Sequence, residues 1–137
     1  MTNPHDLEPM ASIQPDGFEL GADGGCVLIG GFCTSSGLYH FPLQDCCPYT
    51  GAFDIERVEL ADTGSLWGWT AVTTAPPGYE GPVPYGFGVV ELDGSALRVI
   101  TRLTESDPTR LGFGDRMRLV ADEVAPGVAV WAFEVAP

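Results

Sequence analysis

The chain contains no lysine. Its only basic side chains are six arginines, set against nineteen aspartates and glutamates, for a formal net charge of −13 over 137 residues. A surface of that sign repels a phosphodiester backbone, whose binding requires several neutralised phosphates, so nucleic acid, single strands included, is not an expected partner. Long apolar runs are also lacking. No stretch approaches the roughly 20 consecutive apolar residues of a membrane-spanning helix, and the N-terminus has no basic region followed by an apolar core. The expectation is a soluble, cytoplasmic protein with no membrane partner. Histidine is scarce, with only His5 and His40. A cysteine nucleophile needs a base within hydrogen-bond reach, and His40 between Tyr39 and Phe41 is a poor candidate. There is no Gly-x-Ser-x-Gly, no His-Glu-x-x-His and no phosphate loop. The pairs Gly86–Gly88 and Gly112–Gly114 lack the third glycine and the following helix of a dinucleotide site. The sequence therefore carries no recognisable active site, and no catalytic residue is expected in it.

What the chain has instead is punctuation. Eighteen glycines and twelve prolines stand in a sequence that is 45% hydrophobic, enough apolar material for a core but interrupted too often for long helices. That composition points to an all-β protein. Residues 1–24 are acidic and proline-rich without periodicity and read as an extended arm that orders on a partner. Residues 25–60 hold a hairpin, with short apolar runs at 27–32 and 38–41 around the turn 34–37, and an exit strand within 53–60. Residues 61–137 give five strand candidates, at 66–74, 85–92, 97–103, 115–121 and 127–135. Alternation is cleanest in the third and fourth: Leu97, Val99, Thr101 and Leu103 take one face against Arg98, Ile100 and Arg102, while Met117 and Leu119 oppose Arg116 and Arg118. A rigid proline loop (76–84), an Asp-Gly hairpin (91–97) and a segment with room for one helical turn (106–115) connect them. Five strands in about 70 residues, with a short helix between the third and fourth, fit a five-stranded OB-fold barrel.

The most specific spacing surrounds the cysteines. Structural zinc ribbons use two Cys-x2-Cys knuckles because four ligands must converge tetrahedrally on the metal. The segments Cys33 to Gly37 and Cys47 to Gly51 keep the first cysteine and the trailing glycine of each knuckle, but Ser36 and Thr50 stand where the second cysteines would be. Hydroxyls are poor zinc ligands at neutral pH, so no metal is expected. Three outcomes stay open: an empty ribbon held by packing, zinc rescued by Cys46, Cys26 or His40 alongside Cys33 and Cys47, or a Cys33–Cys47 disulfide, which a reducing compartment disfavours.

Two further clusters are candidates for binding. Trp67 and Trp69, at i and i+2, share one face of the first barrel strand, and Tyr79 and Tyr85 bracket the proline loop, a grouping that suits either a buried core or a protein interface. Five of the six arginines fall between positions 98 and 118. Arg98, Arg102 and Arg118 are either a patch for a small anion or ordinary outward-facing strand residues.

Taken in order, the pieces LIGGFCTSSG (28–37), HFP (40–42), CCPYTG (46–51), the barrel segment 66–94, TRL (101–103) and LGFGDRMRLV (111–120) resemble a family long filed as domain of unknown function thirty-five. Its members are OB-fold, acyl-CoA-associated proteins with an N-terminal rubredoxin-like zinc ribbon, and the resemblance runs from about Phe18 to Phe133. It implies a non-catalytic accessory subunit of a thiolase-superfamily enzyme (a thiolase, aldolase or acyltransferase) in a hetero-oligomer. The partner would carry the catalytic residues, and a CoA thioester would be the substrate of the complex. Ser36 and Thr50 depart from the family pattern and bear on the metal, not on the fold. A stand-alone acyl-CoA or small-anion binding module is the alternative.

Overall fold

The computed structural model describes residues 11–12, 18–20 and 25–137. The described residues form ten strands and a single turn of 3-10 helix. The strands are β1 (Ala11–Ser12), β2 (Phe18–Leu20), β3 (Cys26–Cys33), β4 (Leu38–His40), β5 (Ile55–Glu59), β6 (Thr63–Val72), β7 (Tyr85–Leu92), β8 (Arg98–Leu103), β9 (Arg116–Ala125) and β10 (Val128–Val135), and the helical turn is Pro108–Arg110. The five barrel strands expected from alternation are thus present, with ends shifted by a few residues.

The barrel closes in the order β10-β8-β7-β6-β9, with β9 returning to β10. All contacts are antiparallel except β8 with β10. This arrangement, with the helical turn between the third and fourth barrel strands, is that of an OB fold. Closure removes sheet edges but requires a strand to serve two neighbours. β6 does so: Thr63–Ser65 pair with β9, while Gly64–Val72 pair with β7. A register shift between Leu66 and Gly68 supplies the bend. Alternating inward residues fill the interior, among them Leu66, Val90, Leu92, Val99, Leu103, Met117, Leu119 and Phe133. Two glycines of β7 are required by close approach rather than by any nucleotide. A Cβ on Gly86 would lie 2.1 Å from the Glu105 carbonyl oxygen, and one on Gly88 would lie 2.4 Å from that of Gly68.

The smaller sheet is centred on β3, which pairs with β2, β4 and β5. Its apolar residues Phe18, Leu28 and Leu60 join the same buried cluster as the barrel side chains. Phe41 meets Trp131 of β10 edge to face at 5.5 Å between ring centres, and Ala129–Phe133 are buried throughout. Most of the expected arm lies outside the described residues. The two pieces that are described take partners within the chain itself: β1 lies parallel to the start of β10, and β2 pairs with β3.

Candidate functional site

The outer face of β6–β8 and the proline loop beside it form one candidate site. Strand pairing sets Phe87 opposite Arg102 and Val89 opposite Ile100, and all four sit at the outward positions of strands whose alternate residues are buried. Apolar side chains at such positions are the unusual feature: Ile100 is 65% exposed, Trp67 45% and Phe87 38%. Next to them a groove of about 360 Å³ is lined by Tyr79, Tyr85, Phe87, Ile100, Thr101, Arg102, Val124, Val130 and Trp131.

Arg102 organises this groove. Its Nε donates to Asp122 Oδ2 at 2.8 Å and its Nη1 to the Tyr79 hydroxyl at 3.0 Å. Its guanidinium lies 4.6 Å from the ring centre of Tyr85 and 5.7 Å from that of Tyr79. Tyr79 in turn donates to the Pro82 carbonyl at 2.8 Å and packs on Tyr85 at 5.0 Å. One planar cation thus ties the proline loop to the barrel and fixes the groove wall, which the fork and flat face of arginine allow and an ammonium would not.

The structure separates residues that the sequence grouped. Trp67 and Trp69 do not share a face, because the bulge at Trp67 shifts the pairing: Trp67 points outward under the Arg98 guanidinium, 4.2 Å from its ring centre. Trp69, opposite the buried Gly88, packs against the core and donates its indole N–H to the Pro108 carbonyl at 2.9 Å. Arg118 lies on β9, away from Arg98 and Arg102 on β8, and pairs with Glu134. Arg116 likewise pairs with Asp93, and Arg110 with Asp107 and Glu105. The arginine-rich stretch is therefore laced with ion pairs rather than gathered into one cationic patch. Phe87, Val124, Val130 and Trp131 enter the groove without having been singled out in the sequence. For Phe87 the signal was available, a large apolar residue in step with polar outward positions. For the others, only the crossing of β9 and β10 brings them there.

The second site lies between the two cysteine turns. The Gly37 amide donates to the Cys33 carbonyl and the Gly51 amide to that of Cys47, each at 2.8 Å. Both glycines have positive φ, 72° and 76°, which a residue with a Cβ adopts only under strain. Cys33 and Cys47 are fully buried free thiols. Ser36 Oγ lies 3.9 Å from Cys47 Sγ. Burial raises the Cys47 thiol, but hydrogen bonds from Thr50, from Cys33 and from the amides of Tyr49 and Thr50 outweigh it and bring its pKa down to about 7. Asp54, which no local pattern marked, reaches the cluster through the pairing of β5 with β3: Cys33 Sγ donates to its Oδ1 at 3.2 Å. The Thr34 hydroxyl and the Ser35 amide donate to its Oδ2 at 2.9 and 2.6 Å. Those bonds, Cys33 first, hold the Asp54 carboxyl down at about 2.

This donor set does not fit structural zinc, which needs four nitrogen, sulfur or carboxylate ligands. Among the described residues no three of His, Cys, Asp and Glu come together to hold an ion. Cys26 is at the far end of β3 from Cys33, roughly 23 Å away at about 3.3 Å per residue, where burial and then the Asp62 charge raise its pKa to about 11. His40 fills the space left by Gly31, where a Cβ would lie 2.2 Å from its ring, and accepts a bond from the Gln44 amide at 3.1 Å on Nε2. It is a packed residue rather than a base for either cysteine. Cys46 is half-buried beside Cys47, and His5 lies outside the described residues.

Comparison with known proteins agrees with this architecture. Residues 57–122 match the family described as ChsH2, C-terminal OB-fold domain. A DUF35 domain-containing scaffold protein of Pyrococcus furiosus is 31% identical over 97 residues, 71% of this chain and 70% of its own length. One from Methanocaldococcus jannaschii is 24% identical over 115 residues, 80% of this chain and 81% of its own. A probable enoyl-CoA hydratase alpha subunit of Thermomonospora curvata is 31% identical over 83 residues, 60% of this chain but 25% of that longer protein. Among solved structures, the Ltp2-ChsH2(DUF35) aldolase matches with a TM-score of 0.65 and 27% identity, covering 81% of this chain and 86% of that one. The chain belongs to the DUF35 family of OB-fold proteins.

Proposed function

We propose that this chain is a non-catalytic accessory subunit of a thiolase- or aldolase-like complex acting on an acyl-CoA or related acyl substrate, and that it shapes and stabilises a catalytic partner. The likeness to the DUF35 chain of the Ltp2-ChsH2 aldolase carries the reading. The scaffold names of its relatives support it, and so does a CoA-handling relative. Among the described residues no cysteine has His40 as its base, and the groove presents aromatic and aliphatic side chains around one already paired arginine. Exposed Trp67, Phe87 and Ile100 are the kind of side chains on which protein interfaces concentrate their binding energy.

The test is co-expression with a thiolase-like protein encoded beside this one. A stable complex is expected, with acyl-CoA turnover only when both chains are present. Turnover by the isolated chain would overturn the proposal. The alternative, a stand-alone acyl-CoA or small-anion module, draws on the Arg102 groove and requires the isolated chain to bind CoA tightly in calorimetry. The existing Arg102–Asp122 and Arg118–Glu134 pairs oppose that outcome.

A further inference from the structure

We infer that the two cysteine turns are closed without a metal ion, by hydrogen bonds among their thiols and hydroxyls anchored on the Asp54 carboxylate. Each turn keeps the bond from glycine amide to cysteine carbonyl that tightens it, so the turns converge as a metal knuckle would make them. Ser36 Oγ lies 3.9 Å from Cys47 Sγ across the two turns, and Ser35 Oγ lies 3.2 Å from Cys33 Sγ within the first. Zinc binds cysteine as thiolate and would have only two here.

The decisive group is Asp54. Cys33 Sγ donates to Asp54 Oδ1 at 3.2 Å, so this sulfur already has a carboxylate as its side-chain partner. The same carboxylate gathers the Thr34 hydroxyl and the Ser35 amide, so it ties the first turn to the segment entering β5. A metal-bound knuckle would draw that constraint from the ion.

The full chain, expressed with added zinc, is examined by elemental analysis and by cobalt titration. The native protein is expected to retain no zinc after gel filtration, to show no thiolate-to-cobalt absorption and to keep its Tm in EDTA. The double variant Ser36→Cys/Thr50→Cys restores four thiols in the preserved cage. It is expected to bind one cobalt per chain with tetrahedral thiolate absorption. Asp54→Asn, nearly isosteric, is expected to lower the Tm in metal-free buffer. Stoichiometric zinc in the native chain together with a fall in Tm on adding EDTA would overturn the inference, as would an unchanged Tm for Asp54→Asn. The native measurements need no variant to fold, and none of these outcomes depends on the catalytic partner.

Discussion

Replacing Arg102 by methionine keeps an unbranched stem in the groove wall and removes the guanidinium. The side chain is 14% exposed and its partner Asp122 28%, so the pair is only lightly screened. A hydrogen bond between charged groups contributes about 1.5–3 kcal/mol and a neutral partner such as the Tyr79 hydroxyl about 1 kcal/mol. Stacking over Tyr85 adds about 0.5–1 kcal/mol. Removing a partly buried charge from an apolar wall returns some of its desolvation cost, leaving a net loss of about 2–3 kcal/mol. At about 3–4 °C per kcal/mol for a chain of this size, the Tm falls by about 10 °C. Arg118→Met is the control: the same residue type also meets a carboxylate, Glu134, but the arginine is 51% exposed, so its loss costs less than about 1 kcal/mol. Urea and thermal unfolding of both variants, with an Arg102→Met/Asp122→Asn cycle to isolate the pair, give the comparison. Equal destabilisation by the two substitutions, or a loss at Arg102 below about 1 kcal/mol, would refute the reasoning that burial sets the strength of these arginine contacts.

Gly88→Ala forces a Cβ to within 2.4 Å of the Gly68 carbonyl oxygen, whereas at Gly112 the nearest atom to an added Cβ is 3.5 Å away. Chemical denaturation should show a loss of at least about 2 kcal/mol for the first and less than about 0.5 kcal/mol for Gly112→Ala. Acid stability should report Asp54 and Asp93. Both carboxyls are held at about 2, Asp54 first by Cys33 and Asp93 first by Arg116. Because their folded pKa values lie below the unfolded value of about 3.9, the stability they confer is complete above pH 4 and fades as the pH falls towards 2. Tm measured from pH 6 to pH 2 should fall less steeply in the Asp93→Asn variant than in the native chain between pH 4 and pH 2. Parallel curves would refute the assignment.

Much of the fold was legible because β-structure writes itself as a period of two. Val99, Thr101 and Leu103 alternate with Arg98, Ile100 and Arg102, and Met117 and Leu119 with Arg116 and Arg118. In each case the first set is buried and the second faces outward. The same reasoning failed at Trp67 and Trp69, because a bulge adds one residue to the count and no local pattern declares it. The cysteine turns were legible as turns from Gly37 and Gly51, but their chemistry was not: Asp54 is 21 residues from Cys33 in sequence and reaches it only because β5 pairs with β3.

The residues alone therefore determined the class of the chain, its closed barrel and the replacement of the second knuckle cysteines by Ser36 and Thr50, since all of these depend on composition, on local spacing or on strict alternation. The tertiary structure decided which charges are spent and which surfaces remain open. It paired Arg102 with Asp122 and Arg118 with Glu134, assembled the groove from four strands and the proline loop, and set a carboxylate against the Cys33 thiol. Electrostatic and van der Waals contacts act over a few ångströms of space, and in a closed barrel neighbours in space are often tens of residues apart along the chain.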